Sequence, residues 1–292
     1  MTIFGVDFTS VPRARKPITV ARGRLVRSGF VLDVIEDITH WAGFQGLLSA
    51  PGPWIGGFDF PFGLPREAVQ DLGWPRRWPD LVRHCAALGR GVFRATLDAY
   101  RTTRPAGHKY PHRATDRPAG SHSPVKLVNP PVGLMFLEGA PRLLAAGVTL
   151  PGLHQGDPAR VAVEAYPGLA ARALTRESYK SDERRKQTAA RRAARAMIVS
   201  HLLGTGGPFG FRLEGALGLL RSLTRDASGD RLDAVLAGMQ AAWCLRRAAH
   251  GFGMPRQVDA LEGWIAMAGR VPLVAVRPGS RRSAQGPRAD RA

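Results

Sequence analysis

The sequence predicts an α/β fold, a mixed sheet flanked by helices, and three observations lead there. Residues 2–37 hold three β-prone runs separated by short turn-forming segments, the pattern of an antiparallel meander. A helix pattern and a fourth β-prone run follow, and a strand–helix–strand succession implies a parallel crossover, right-handed in nearly all proteins. Helical periodicity with one apolar face fills much of the remainder.

The first three strands are expected at Thr2–Thr9, Pro17–Leu25 and Phe30–Ile35, with Arg27-Ser28-Gly29 as a turn. Residues 39–49 fit a helix with Thr39 as N-cap and Trp41, Phe44, Leu47 and Leu48 on one face. Pro51-Gly52-Pro53 ends it, and 54–60 form the fourth strand. Residues 64–104 read as helical pieces broken by Pro75 and Pro79. From 105 to 133 the chain is rich in Pro, His, Gly and basic residues, and so irregular a segment inside a compact domain points to function or mobility. A helix around 134–146 and a strand at 160–165 come next. Residues 182–203 fit a helix with a narrow apolar stripe (Ala189, Ala193, Met197, Ile198) and charge from Arg184, Arg185, Lys186, Arg191, Arg192 and Arg195. The last major helix is expected over 230–249. These elements make one domain over 1–276, with 61–158 inserted after the fourth strand. The basic tail 277–292, five Arg and one Asp among Pro, Gly and Ser, is expected to be disordered.

At 292 residues, with 44% apolar and 22% charged positions, the chain can bury a large core. Its net charge is +19, from 42 basic residues against 23 acidic ones, and only five of the basic residues are Lys. A potential of that sign attracts polyanions, which makes nucleic acid the natural partner; a merely soluble basic surface is the alternative. Cys85 and Cys244 are too few and too distant for a disulfide framework or zinc knuckle, and read as buried thiols in a reducing compartment. The N-terminus enters a strand pattern without a basic leader, and no apolar stretch of about 18 residues is free of charges, Gly or Pro. A cytoplasmic protein without a membrane span is expected.

Acids stand where acids are structurally awkward. Asp7 interrupts Ile3-Phe4-Gly5-Val6-Asp7-Phe8, and Asp59 interrupts Trp54-Ile55-Gly56-Gly57-Phe58-Asp59-Phe60. Glu164 ends Val161-Ala162-Val163, and Asp230 and Asp233 share a face at the start of a long apolar helix pattern. An unpaired buried charge is strongly disfavoured, so such acids need a partner. Each has a local explanation: a turn partner for Asp7 and Asp59, an Arg for Glu164, an N-cap for Asp230. Asp233 is harder to explain locally, since it has a like-charged neighbour at i+3 and precedes Ala234-Val235-Leu236-Ala237. As a set, acids on several strands and one helix describe a carboxylate-held divalent metal site, with Mg²⁺ or Mn²⁺ as the ion.

Gly5-Val6-Asp7-Phe8-Thr9, the fourth-strand acid and Asp230-Arg231-Leu232-Asp233-Ala234 resemble the ribonuclease H-like superfamily, in particular its Holliday-junction resolvase branch. More closely, the chain resembles the uncharacterised bacterial group known as domain of unknown function 429, described as predicted nucleases. The matching stretches are Gly57–Gly63, Gly139–Arg142, Val163–Gly168, Ser178-Tyr179-Lys180 and Glu262–Ile265, in that order and covering the chain to about residue 270. The resemblance implies a five-stranded mixed sheet in the order 3-2-1-4-5, with Asp7 and Asp59 on neighbouring strands and the last helix laying Asp233 and Asp230 over them. Glu164 would sit one strand further out. In the resolvase branch the fourth-strand acid is usually Glu; Asp59 is one methylene shorter.

Other positions invite roles with equally ordinary alternatives. His108 and His112 are four apart, but Pro105 and Pro111 exclude a helical zinc face there; a loop approaching phosphates is the reading for His112. Lys180 could neutralise a phosphate or be a solvated lysine. Arg113 could bind nucleic acid or join Asp116 and Arg117 in an ion pair. Arg184 and Arg191 could track a phosphate backbone or form a solvated face. Trp74, Trp78 and Trp264 could stack on bases, although core packing explains them too. Three functions follow. The first is a metal-dependent nuclease using Asp7, Asp59 and Asp233, with Glu164 or Asp230 completing the shell or acting as base. The second is a catalytically weak or inactive nucleic-acid-binding protein of the same fold. The third is a phosphotransferase suggested by Asp7-Phe8-Thr9-Ser10, which lacks the second Gly-rich phosphate turn such enzymes need.

Overall fold

The β-prone runs of the sequence assemble into a seven-stranded mixed sheet in a computed structural model that describes residues 1–271. The tail expected over 277–292 lies outside the described residues. In chain order the elements are β1 (Thr2–Asp7), β2 (Ile18–Leu25), β3 (Gly29–Ile38), α1 (Trp41–Leu48), β4 (Trp54–Phe58), α2 (Arg66–Asp71), α3 (Trp78–Thr103), α4 (Asp116–Ala119), α5 (Val132–Ala146) and β5 (Val148–Thr149). They continue with β6 (Asp157–Glu164), α6 (Pro167–Arg172), α7 (Ala189–Gly204), β7 (Arg212–Gly215), α8 (Leu217–Arg225) and α9 (Asp230–Leu245).

The strand order is β5-β6-β4-β1-β2-β3-β7. β1/β2 and β2/β3 are antiparallel, as hairpin-length connections require; every other pair is parallel. Two short edge strands, β5 and β7, therefore extend the five strands expected. Runs of two and four residues are too short to carry a readable alternation.

Alternation along β1 assigns its two faces. Phe4 and Val6 pack with α1, α2, α3 and α5, whereas Ile3 packs with α6, α7, α8 and α9. Gly5 and Gly57, one on each of the two central strands, face α9. A Cβ at Gly5 would meet the Ala234 carbonyl oxygen at 1.9 Å, and one at Gly57 the Ala237 carbonyl oxygen at 2.2 Å. The helix thus rests on the bare backbone of the sheet. That close approach is why the last helix can carry an acid down to the strand ends.

Several boundaries differ from expectation for local reasons. The cap of α1 is His40, not Thr39: the His40 ring nitrogen accepts from Gly43 N–H at 3.0 Å. Pro79 does not break a helix but sits in the first turn of α3, where its missing N–H costs nothing; the interruption inside α3 is Gly89, at φ 68°. The helix expected from residue 182 begins at Ala189, capped by Thr188, and Arg184–Lys186 form a single 3₁₀ turn before it. Its buried side is Ala194, Arg195, Ile198, Val199 and Leu202, and Met197 is exposed. The last helix ends at Leu245 instead of continuing to 249. Trp74 and Trp78 are core residues, and Trp264 packs against the α9-side core. Among the described residues no helix is long and apolar enough to cross a membrane.

Candidate metal centre

Asp7 is the last residue of β1, on the same side as Ile3 and Gly5, and so points toward α9. Asp59 follows β4; its N–H donates to the Val6 carbonyl at 2.9 Å, which continues the β1/β4 pairing and holds the two acids side by side. Asp233 lies in the first turn of α9 and is fully buried. Each of the three offers a carboxylate oxygen, and these oxygens all lie within 4.8 Å of one another. No hydrogen bond reaches the Asp7 or Asp59 carboxylate among the described residues, although Asp7 is only 7% exposed.

Burial pushes the Asp7 carboxyl well above the usual carboxylate range, and the charges of Asp230, Asp233 and Asp59 push it further against the pull of Lys180. Burial likewise pushes Asp59 up to about 7, with Lys180 pulling it down and Asp233 and Glu164 pushing it up. Carboxylates crowded like this repel one another unless a cation stands among them. An all-oxygen, all-carboxylate donor set suits a hard divalent cation such as Mg²⁺ or Mn²⁺.

Two lysines face the acids. The Lys180 ammonium bonds to one Asp233 oxygen, while the Tyr179 hydroxyl donates to the other at 2.6 Å. Burial would lower Lys180, but the neighbouring Asp233 and other anions hold it protonated, well above the usual lysine range. Lys16 bridges Asp230, at 2.9 Å, and Asp182, at 3.0 Å. Asp230 is thus not the cap of α9: Gly229 occupies that position, and the Asp230 carboxylate is spent on Lys16. Sequence reasoning assigned no role to Lys16 or Tyr179. The signal for Lys16 was the rarity of lysine, five residues in an Arg-dominated chain; Tyr179 had only its place beside Lys180.

Glu164 and Arg113 leave the candidate set. Arg113, 2% exposed, donates to both oxygens of Glu164, at 2.6 and 2.8 Å, and to Asp116 at 2.9 Å. Phe62 N–H completes the Glu164 carboxylate at 2.9 Å. Both oxygens of Glu164 are thus already engaged, and the Arg113 guanidinium is taken up by Glu164, Asp116 and the Glu262 carbonyl. His112 is exposed, with Nδ1 4.0 Å from Asp116. Arg184 is exposed in its 3₁₀ turn, and Arg191 donates to Ser178 Oγ at 3.2 Å, close to Lys180 in the chain. Neither His112 nor Arg184 is brought to the acids.

Asp7, Asp59 and Asp230 line a cleft of about 1090 Å³ together with Lys16, Lys180 and Tyr179. Compared with known protein families, residues 5–255 match the family model described as "Protein of unknown function (DUF429)". No curated protein and no solved structure matches the chain.

Proposed function

The chain belongs to the DUF429 family, and we propose that it is a divalent-metal-dependent nuclease whose centre is Asp7, Asp59 and Asp233. One observation carries this reading: two carboxylates without a hydrogen-bond donor, the buried Asp7 and the half-buried Asp59, converge with a buried third, Asp233. A ribonuclease H-like fold agrees with the strand run β3-β2-β1-β4-β6 inside the larger sheet and with a last helix packed across β1 and β4.

A Mg²⁺ or Mn²⁺ ion bound there would activate water and neutralise charge at the leaving oxygen of a phosphodiester. The residues of the chain orient its ligands: the Val6–Asp59 hydrogen bond fixes two carboxylates, and the Tyr179 hydroxyl fixes the third. Lys180, exposed at the cleft and tied to Asp233, would take a phosphate oxygen on leaving that carboxylate. The net charge of +19 favours encounter with DNA or RNA. Two buried free thiols, Cys85 and Cys244, suit a reducing, cytoplasmic setting.

The decisive experiment incubates the purified protein with Mn²⁺ and with duplex or single-stranded DNA or RNA. Cleavage that disappears in Asp7→Asn and Asp59→Asn supports the site; equal cleavage by the variants refutes it. The Lys180–Asp233 contact favours a second reading, a nucleic-acid-binding protein with weak or no catalysis, because an internal ammonium already serves one carboxylate. Binding that persists in EDTA without cleavage of any substrate form would select that reading.

A further inference from the structure

Lys16 sits in the short connection between β1 and β2, where Arg13 N–H donates to the Lys16 carbonyl at 3.1 Å and Lys16 N–H to the Arg13 carbonyl at 3.0 Å. From this pinned base its side chain crosses to the start of α9. The ammonium donates to both oxygens of Asp230, at 2.9 and 3.0 Å, and to Asp182 at 3.0 Å. All three ammonium donor hydrogens thus have acceptors. Asp7 acts on the same ammonium through its charge. In a pair of catalytic metals, two cations stand side by side and share carboxylates. Lys16 lines the same cleft as Asp7, Asp59 and Asp230.

We propose that the centre takes a single divalent ion, and that the Lys16 ammonium supplies the second positive charge between Asp7 and Asp230. The proposal rests on the metal-centre reading above and fixes how many ions it holds. Each of the two ammoniums facing the acids is already on a carboxylate, Lys16 on Asp230 and Asp182 and Lys180 on Asp233. The two lysines differ in how firmly they are held. Lys180 bonds one carboxylate oxygen, its side chain is 43% exposed, and it can yield to an entering ion. Lys16 bonds three oxygens from a closed turn and keeps its place.

The test counts bound Mn²⁺ on the full chain, titrating protein with Mn²⁺ and following the paramagnetic resonance of the free ion. Asp7→Asn serves as the blank, because Asp7 acts at both cation positions. The wild type and Lys16→Arg, which keeps the charge, are expected to bind one ion per chain above the blank, and Lys16→Ala two. Two ions in the wild type or in Lys16→Arg, or a single ion in Lys16→Ala, would overturn the proposal while leaving the metal centre intact. No ion above the blank in the wild type would overturn the centre and the proposal together. Should Lys16→Ala fail to fold, the wild-type count decides by itself.

Discussion

Asp59 makes the protein's stability depend on pH in a direction opposite to that of ordinary paired carboxylates. Its carboxyl is pushed from 3.8 up to about 7 by burial, so between those values the folded chain binds a proton that the unfolded chain releases. Stability without metal therefore falls as pH rises through about 7, and Asp7, also raised, adds to the fall. His122 and His154, lowered by burial, act the other way below their ordinary 6.5, so the clean window lies above it. The expected outcome, read by thermal unfolding in EDTA, is a transition temperature that drops from about pH 6.5 to about pH 8. Mn²⁺ should remove the drop, and Asp59→Asn should reduce it, leaving the part due to Asp7. Glu164 tests the structural side: Glu164→Gln leaves Arg113 short of a buried partner, a loss of about 3–5 kcal/mol by urea denaturation, with Mn²⁺ affinity unchanged. Asp7, Asp59 and Asp233 were legible in the sequence because each breaks an apolar run. Glu164 was not separable from them, since the residue that claims it stands 51 positions earlier in an irregular loop.

At the level of elements, the centre depends on how closely α9 lies on β1 and β4. Gly5→Ala would drive a methyl group into the Ala234 carbonyl, a backbone atom that moves only if the helix moves. A cost of about 1–3 kcal/mol in stability is expected. A Mn²⁺ affinity loss of about tenfold or more should accompany it, because a retracting helix withdraws Asp233. Gly46→Ala in α1 is the control: its Cβ would meet nothing within 4 Å, and it should leave metal binding alone while adding a few tenths to about 1 kcal/mol of stability. Isothermal titration with Mn²⁺ beside chemical denaturation separates the two effects. The long elements were readable because their periodicity is long. The start of α7 was misplaced by seven residues because the basic run Arg184–Lys186 has good helix propensity, yet the chain coils there before Thr188 caps the helix proper. Gly5 and Gly57 were visible as letters, but nothing in a strand pattern says which helix they admit.

For the whole molecule, the segment after residue 255 is part of the fold even though the family match stops there. Ile265 pairs with Glu164 beside β6, Ala266 N–H donates to the Glu164 carbonyl at 2.8 Å, and Gln240 of α9 donates to the Ala266 carbonyl at 3.0 Å. Glu262 takes Arg66 N–H and Ala114 N–H, each at 2.8 Å, and Asp259 pairs with Arg66. Leu261, Ile265, Ala266 and Met267 are buried. A chain truncated after residue 255 should lose the cooperative unfolding transition of the full chain and be digested by trypsin faster than it. The same arrangement sets an order of events during synthesis. Strand β6 and the Arg113–Glu164 fork leave the ribosome early, but the stretch that closes over them is made about a hundred residues later, so the cleft cannot reach its final form until almost the entire chain has emerged.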